Sequence, residues 1–176
     1  MIRVAETALL VPVPAAEPLV QAHRLAHDPV APLGIPAHIT VLYPFVPPDE
    51  LDDAVWGAIT EVLRPFSAFD FVLADVRRFD DGVLYLAPDP VEPFTALTAA
   101  LAARWPEHPP YGGGFDTIVP HLTVAMADGA PVAEMERELR GELPVASRAD
   151  EVWLMEGRPG GGWSRRGVFP LTADRT

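Results

Sequence analysis

Two short segments hold the residue types that could do chemistry. Residues 36–45 read Pro-Ala-His-Ile-Thr-Val-Leu-Tyr-Pro-Phe, and residues 120–125 read Pro-His-Leu-Thr-Val-Ala. In each, a histidine, an aliphatic, a threonine and a second aliphatic follow one another, with a proline one or two residues ahead of the histidine. Residues i and i+2 of a β-strand point to the same face. On a strand, therefore, His38 and Thr40 share one face while Ile39 and Val41 occupy the other. His121 and Thr123 stand in the same relation to Leu122 and Val124. Two imidazoles brought together can serve as general base and general acid, because an unperturbed pKa of about 6.5 keeps both protonation states accessible near neutrality. Two hydroxyls beside them can donate hydrogen bonds to an anion. A phosphodiester suits that set. One histidine takes a proton from the attacking oxygen and the other protonates the leaving oxygen. The threonines hold the non-bridging oxygens and stabilise charge as it develops. The scheme calls for no metal.

A single His-x-Thr on a strand is more often a satisfied, half-buried histidine than a catalyst, since short matches arise by chance. The repetition, at a separation near half the chain, carries the signal. The elements that would position it fall in a repeating order. Residues 7–13 read as a strand and 17–27 as a short helix with Leu19, Val20 and Leu25 as its apolar positions. Residues 28–34 form a Pro-rich loop before the first His-x-Thr strand. Residues 49–63 predict a helix from Leu51, Val55, Ile59 and Val62, and alternation at Phe69, Phe71 and Leu73 predicts a strand. The second half offers a strand at 83–86, a helix at 92–105 and a loop at 106–118. The second His-x-Thr strand follows, then a helix at 132–143, a strand at 151–155, a turn at 158–162 and a final strand at 166–171. The expectation is an internally duplicated, bilobal α+β fold. Two antiparallel or mixed sheets would flank a central cleft, with helices outside. Residues 1–176 would form a single domain, with lobes of roughly 1–78 and 79–176.

His38-Ile39-Thr40-Val41 and His121-Leu122-Thr123-Val124 resemble the two signature motifs of the two-histidine (2H) phosphoesterase superfamily. The Tyr-Pro-Phe ending of the first segment and the Phe169-Pro170-Leu171 end after Trp163 are similar to its bacterial 2′-5′ RNA ligase and cyclic phosphodiesterase group. The resemblance spans almost the whole chain. It implies a bilobal fold with both motifs lining the cleft. It also implies metal-independent chemistry on 2′,3′-cyclic phosphates or 2′-5′ linkages, with no cofactor. By carry-over, His38 and His121 are catalytic and Thr40 and Thr123 bind the phosphate.

Composition narrows the field further. The 176 residues carry a formal net charge of −12 and no cysteine, and every one of the 13 basic residues is arginine. Without cysteine there are no disulfides, thiol nucleophiles or Cys-based zinc sites. Without lysine there is no P-loop lysine, Schiff base or lysyl adenylate. Long nucleic acids bind through many phosphate contacts that an acidic body repels. The expected partner is a small nucleotide or RNA end bearing a cyclic or 2′-5′ phosphate, met by a monomer. No apolar run is long enough to span a membrane, and the N-terminus lacks a signal-peptide pattern, which predicts a cytoplasmic protein.

Further candidates are weaker. Tyr43 and Phe45 could stack on a base or simply pack. Tyr111 or Phe115, on either side of Gly112-Gly113-Gly114, could cover a base. Arg165 could reach a phosphate. The glycine run lacks the lysine and hydroxyl of a P-loop and reads as a flexible loop. His23 and His27 stand at helical i, i+4 spacing without a third ligand, which suggests a solvated helix face. His108 reads as an exposed loop residue. Asp49, Glu50, Asp52 and Asp53 suit a helix N-terminus. Three functions compete: a cyclic phosphodiesterase with 2′-5′ RNA ligation as its reverse, a non-catalytic nucleotide or RNA-end binding module, and a metal-dependent hydrolase. The last has too few clustered ligands, and a pure binder has no need of two proton-transfer groups.

Overall fold

The computed structural model of the chain describes residues 4–126 and 129–172. β1 (Glu6–Pro12), α1 (Glu17–His27), β2 (His38–Leu42), α2 (Asp53–Leu63) and β3 (Phe69–Arg78) follow one another. β4 (Leu84–Asp89), α3 (Glu92–Arg104), β5 (Leu122–Ala125), α4 (Val132–Glu142) and β6 (Val145–Ala149) repeat that order. The hairpin of β7 (Glu151–Arg158) and β8 (Gly162–Pro170) comes last. The expected helix from residue 49 starts later. Pro48–Glu50 form a separate 3-10 turn, and Asp52 caps α2 by accepting the Val55 N–H at 2.9 Å. An Asp side chain satisfies an otherwise unpaired first-turn donor, which sets the helix start there.

Two antiparallel four-stranded sheets result, in the orders β2-β1-β7-β8 and β5-β4-β3-β6. Each His-x-Thr strand is therefore an edge strand beside the first strand of its repeat. The sheets do not divide the chain near residue 78. β3 from the first half joins the second sheet through its hairpin with β4, and β7 and β8 return to complete the first. β6, which the sequence pattern did not announce, is a short edge strand with half-buried Val145 and Ser147 alternating with exposed residues.

Helices exchange sides. α1 packs against β5 of the other sheet, and α3 packs against β2. The Met126 N–H, just past β5, donates to the His27 carbonyl at 2.8 Å. The Thr98 hydroxyl of α3 donates to the Val41 carbonyl of β2 at 2.8 Å. One apolar core joins both sheets. Ile39 and Val41 of β2 and Leu122 and Val124 of β5 are buried in it, so each motif is anchored by its aliphatic face as expected. Phe94 of α3 is 1% exposed, with the Phe69 and Phe71 rings edge-on to it at 5.0 Å. Phe94→Ala is expected to destabilise the fold by about 3–5 kcal/mol through lost burial and the cavity left behind. Equilibrium urea unfolding of the two proteins checks this.

Candidate active site

Both histidines are held in the same way. Nδ1 of His38 lies 2.7 Å from the Pro36 carbonyl, and Nδ1 of His121 lies 2.7 Å from the Val119 carbonyl. A carbonyl only accepts, so Nδ1 carries the proton in each ring and Nε2 is the nitrogen available to a ligand. Each acceptor is the residue two before its histidine, in the turn that leads into the edge strand. All four motif side chains, His38, Thr40, His121 and Thr123, are half-buried.

Burial lowers both imidazole pKa values. For His38 it is the largest influence, opposed by the Pro36 hydrogen bond and reinforced by the positive charges of Arg24 and His121, and the pKa falls to about 4. For His121 burial again dominates, opposed by the Val119 hydrogen bond and by the Asp81 carboxylate. β2 and β5, which carry the two motifs, pack against each other, and a charged His121 further disfavours the cation on His38.

Tyr111 ties the two motifs together. Its ring stacks on His121 of the second motif at 6.4 Å and 27°, and the Thr40 hydroxyl of the first motif is near enough to its phenol to favour the ionised form against burial. Burial is the main cause of its raised pKa. Tyr111 is the one described non-glycine residue with positive φ, at 52°, and its N–H donates to the Tyr43 carbonyl at 2.5 Å. A left-handed non-glycine residue costs energy and persists only where its surroundings fix it. The His121 ring is also met edge-on by Phe79 at 5.0 Å and Tyr85 at 5.6 Å, and those two stack on each other at 4.2 Å. Tyr85 pairs with Thr123 in the β4–β5 register.

The weaker candidates separate. Tyr43 is half-buried and its hydroxyl donates to Glu6 at 2.9 Å; burial first, then Glu6, raises its pKa to about 12. Phe45 is a core residue, 3% exposed and edge-on to Trp105 at 5.0 Å, so it packs and does not offer a face to a base. Phe115 is exposed and touches the edge of Tyr111 at 5.8 Å. The Arg165 guanidinium lies 4.5 Å over the Trp153 ring, while Arg166 pairs with Glu156 at 2.6 Å. His23 approaches Glu138 at 3.5 Å, so it takes part in an α1–α4 contact and is not simply solvated. His108 is half-buried against Phe45. Among the described residues, no three His, Cys, Asp or Glu side chains converge to hold a metal ion. Phe79, Tyr85 and Asp81 were not legible as site residues. The strand read at 83–86 contained Tyr85, but only the β4–β5 register brings it to His121.

A family model of the 2′-5′ RNA ligase superfamily matches residues 11–161. The chain belongs to this superfamily. Solved structures agree on the fold across nearly the full length. E. coli LigT complexed with 3′-AMP matches at 15% identity and a TM-score of 0.64, covering 95% of this chain and 98% of LigT. TT0787 of Thermus thermophilus matches at 21% identity and a TM-score of 0.64, covering 97% and 100%. A structure described as a phosphoesterase matches at 16% identity and a TM-score of 0.60, covering 97% and 99%. No curated protein matches the chain. Superfamily membership supports a phosphoesterase or ligase activity in general. No described helix is long and apolar enough to cross a membrane.

Direct titration tests the site's electrostatics. In the free protein, the His38 ring signals followed by NMR should titrate near pH 4, and those of His121 below the ordinary 6.5. Both shifts are downward, so the unfolded chain binds protons more readily than the native one below pH 6.5. The stability these groups contribute is complete above that value and is lost as pH falls through 6.5 toward 4. A His38 midpoint at or above 6.5 would contradict the buried setting described.

Proposed function

We propose that the chain is a metal-independent phosphodiesterase that opens 2′,3′-cyclic phosphates or cleaves 2′-5′ phosphodiesters of a small nucleotide or RNA end. Ligation of 2′-5′ RNA is the same chemistry run in reverse. The observation that best supports this reading is that β2 and β5, which bear the two motifs, pack against each other, with Tyr111 stacked on His121 and close to Thr40. Residues 1–176 act as one bilobal unit in this reading.

The roles follow from the surroundings. Neutral His38, disfavoured as a cation by burial and by Arg24, takes the proton of the attacking water through Nε2. His121, whose charged form Asp81 favours, gives a proton to the leaving ribose oxygen. The water oxygen bonds to phosphorus, the P–O bond of the ring breaks, and the ring-opened phosphomonoester leaves. Thr40 and Thr123 donate hydrogen bonds to the non-bridging oxygens as their charge builds. That 3′-AMP is bound in E. coli LigT is consistent with a nucleotide ligand on this fold. A small substrate also suits the charge of −12 and the pairing of most described arginines with carboxylates.

Turnover of a 2′,3′-cyclic mononucleotide tests the proposal. His38→Ala or His121→Ala should each lower kcat/KM by about 10²–10⁴-fold, the contribution of one positioned proton-transfer group. Thr40→Ala or Thr123→Ala should lower it less, since one hydrogen-bond donor remains. Unchanged rates in both histidine variants would leave a binding module as the function of the fold.

The profile of kcat/KM against pH should be a bell with its maximum on the acid side of 6.5, because both free imidazoles titrate below that value. The rate should be indifferent to EDTA. Loss on chelation with recovery on adding a divalent cation would refute the metal-independent scheme.

A further inference from the structure

The Pro36 carbonyl that receives His38 Nδ1 is braced on both sides by α1. The peptide that follows it is gripped by Glu17, whose Oε1 accepts the Ala37 N–H at 2.6 Å. The carbonyl before it, of Ile35, accepts from Arg24 Nη2 at 3.3 Å. Arg24 is itself fixed. It is 2% exposed, and its Nε and Nη2 donate to Asp28 Oδ2 at 3.1 and 3.0 Å. The Ala37 carbonyl takes the Val13 N–H at 2.8 Å. Pro36 contributes no N–H and has a restricted φ. The peptide planes on either side of Pro36 are therefore set by two side chains of one helix, at its first turn and its last. Among the described residues nothing comparable surrounds Val119, which is 39% exposed.

We propose that Glu17 is a positioning residue that holds the Pro36 carbonyl on His38 Nδ1 and thereby locks His38 in the Nδ1–H tautomer. Nε2 is then the sole proton acceptor of the ring. With the grip on Ala37 lost, the 35–37 backbone can rotate and the carbonyl leave the ring. A neutral imidazole without that acceptor exchanges its proton between the two nitrogens, and the tautomer with Nε2 protonated cannot act as a base there. Supporting contacts behind a reactive group fix its orientation in this way at metal-bound histidines as well. The catalytic consequence rests on the proposed role of His38, whereas the tautomer does not.

The test is long-range proton–nitrogen NMR of the ¹⁵N-labelled full chain at about pH 8, where both imidazoles are neutral. Wild type, Glu17→Gln and Glu17→Ala are compared. Wild type should show a protonated Nδ1 and an unprotonated Nε2 at His38. Glu17→Gln keeps an oxygen acceptor for the Ala37 N–H and should retain that pattern. Glu17→Ala should move both His38 nitrogen shifts toward the values of an exchanging ring, with His121 unchanged as the control within the same folded protein. kcat on a cyclic mononucleotide should fall about tenfold in Glu17→Ala, as expected of a slightly misplaced catalytic group, with KM within about twofold and with recovery in Glu17→Gln. His38 shifts that are the same in Glu17→Ala and wild type would overturn the proposal, as would equal losses of kcat in both variants. If wild type turns over no cyclic phosphate, the proposed function fails, and the nitrogen shifts still decide the tautomer.

Discussion

The hydrogen bond from an imidazole Nδ1 to the carbonyl two residues earlier is the constraint on which the site depends. It occurs twice at the same 2.7 Å and fixes in each ring which nitrogen is left for a ligand. An edge strand supplies the geometry. One side of β2 or β5 is taken up by its sheet neighbour and its aliphatic face by the core; the remaining face presents His38 and Thr40 on β2, and Thr123 on β5 with His121 immediately ahead of the strand. The crossed helices then hold the two edges together. α1 starts beside the peptide ahead of His38 and ends where its His27 carbonyl takes the N–H of Met126, just beyond β5. α3 does the reciprocal work by bonding Val41 through Thr98.

Much of this was legible in the sequence because it depends on local periodicity. The two-residue repeat of His38/Thr40 and His121/Thr123 set the face, and the aliphatics between them set the anchor. The order of strands and helices followed from hydrophobic spacing and proline breaks. What escaped was non-local. The sequence placed Tyr85 on a strand but not opposite Thr123. It placed the 106–118 loop near a cleft, but not the Tyr111 ring on His121. β6 lacks a strong apolar alternation and exists because β3 offers it a partner. Arg24 is the sharpest miss. The helical pattern pointed to Leu25, which is 54% exposed, while Arg24 is buried because Asp28 one turn later takes its charge.

The two halves repeat in element order but differ in bracing and charge. His38 sits behind a braced turn next to the buried Arg24–Asp28 pair, whereas His121 follows a loop whose Val119 is exposed and has Asp81 for a neighbour. The repeated element order supplies two like groups, and the surroundings make them unlike. The proposed acid–base chemistry needs that divergence, since identical groups would compete for one role.

The interleaving of the sheets has a consequence for the birth of the protein. β1 lies between β2 and β7, strands from opposite ends of the chain, whereas β3, β4, β5 and β6 are consecutive. On a ribosome the N-terminal end emerges first, yet the sheet it founds lacks half its strands until residues 151–170 are out. The sheet bearing His121 has all its strands by residue 149. Contacts between distant segments form late because closing a long loop costs entropy first. The histidine that is translated first therefore belongs to the sheet that is completed last, and the exposed flank of β1 must be kept from foreign strands until β7 arrives.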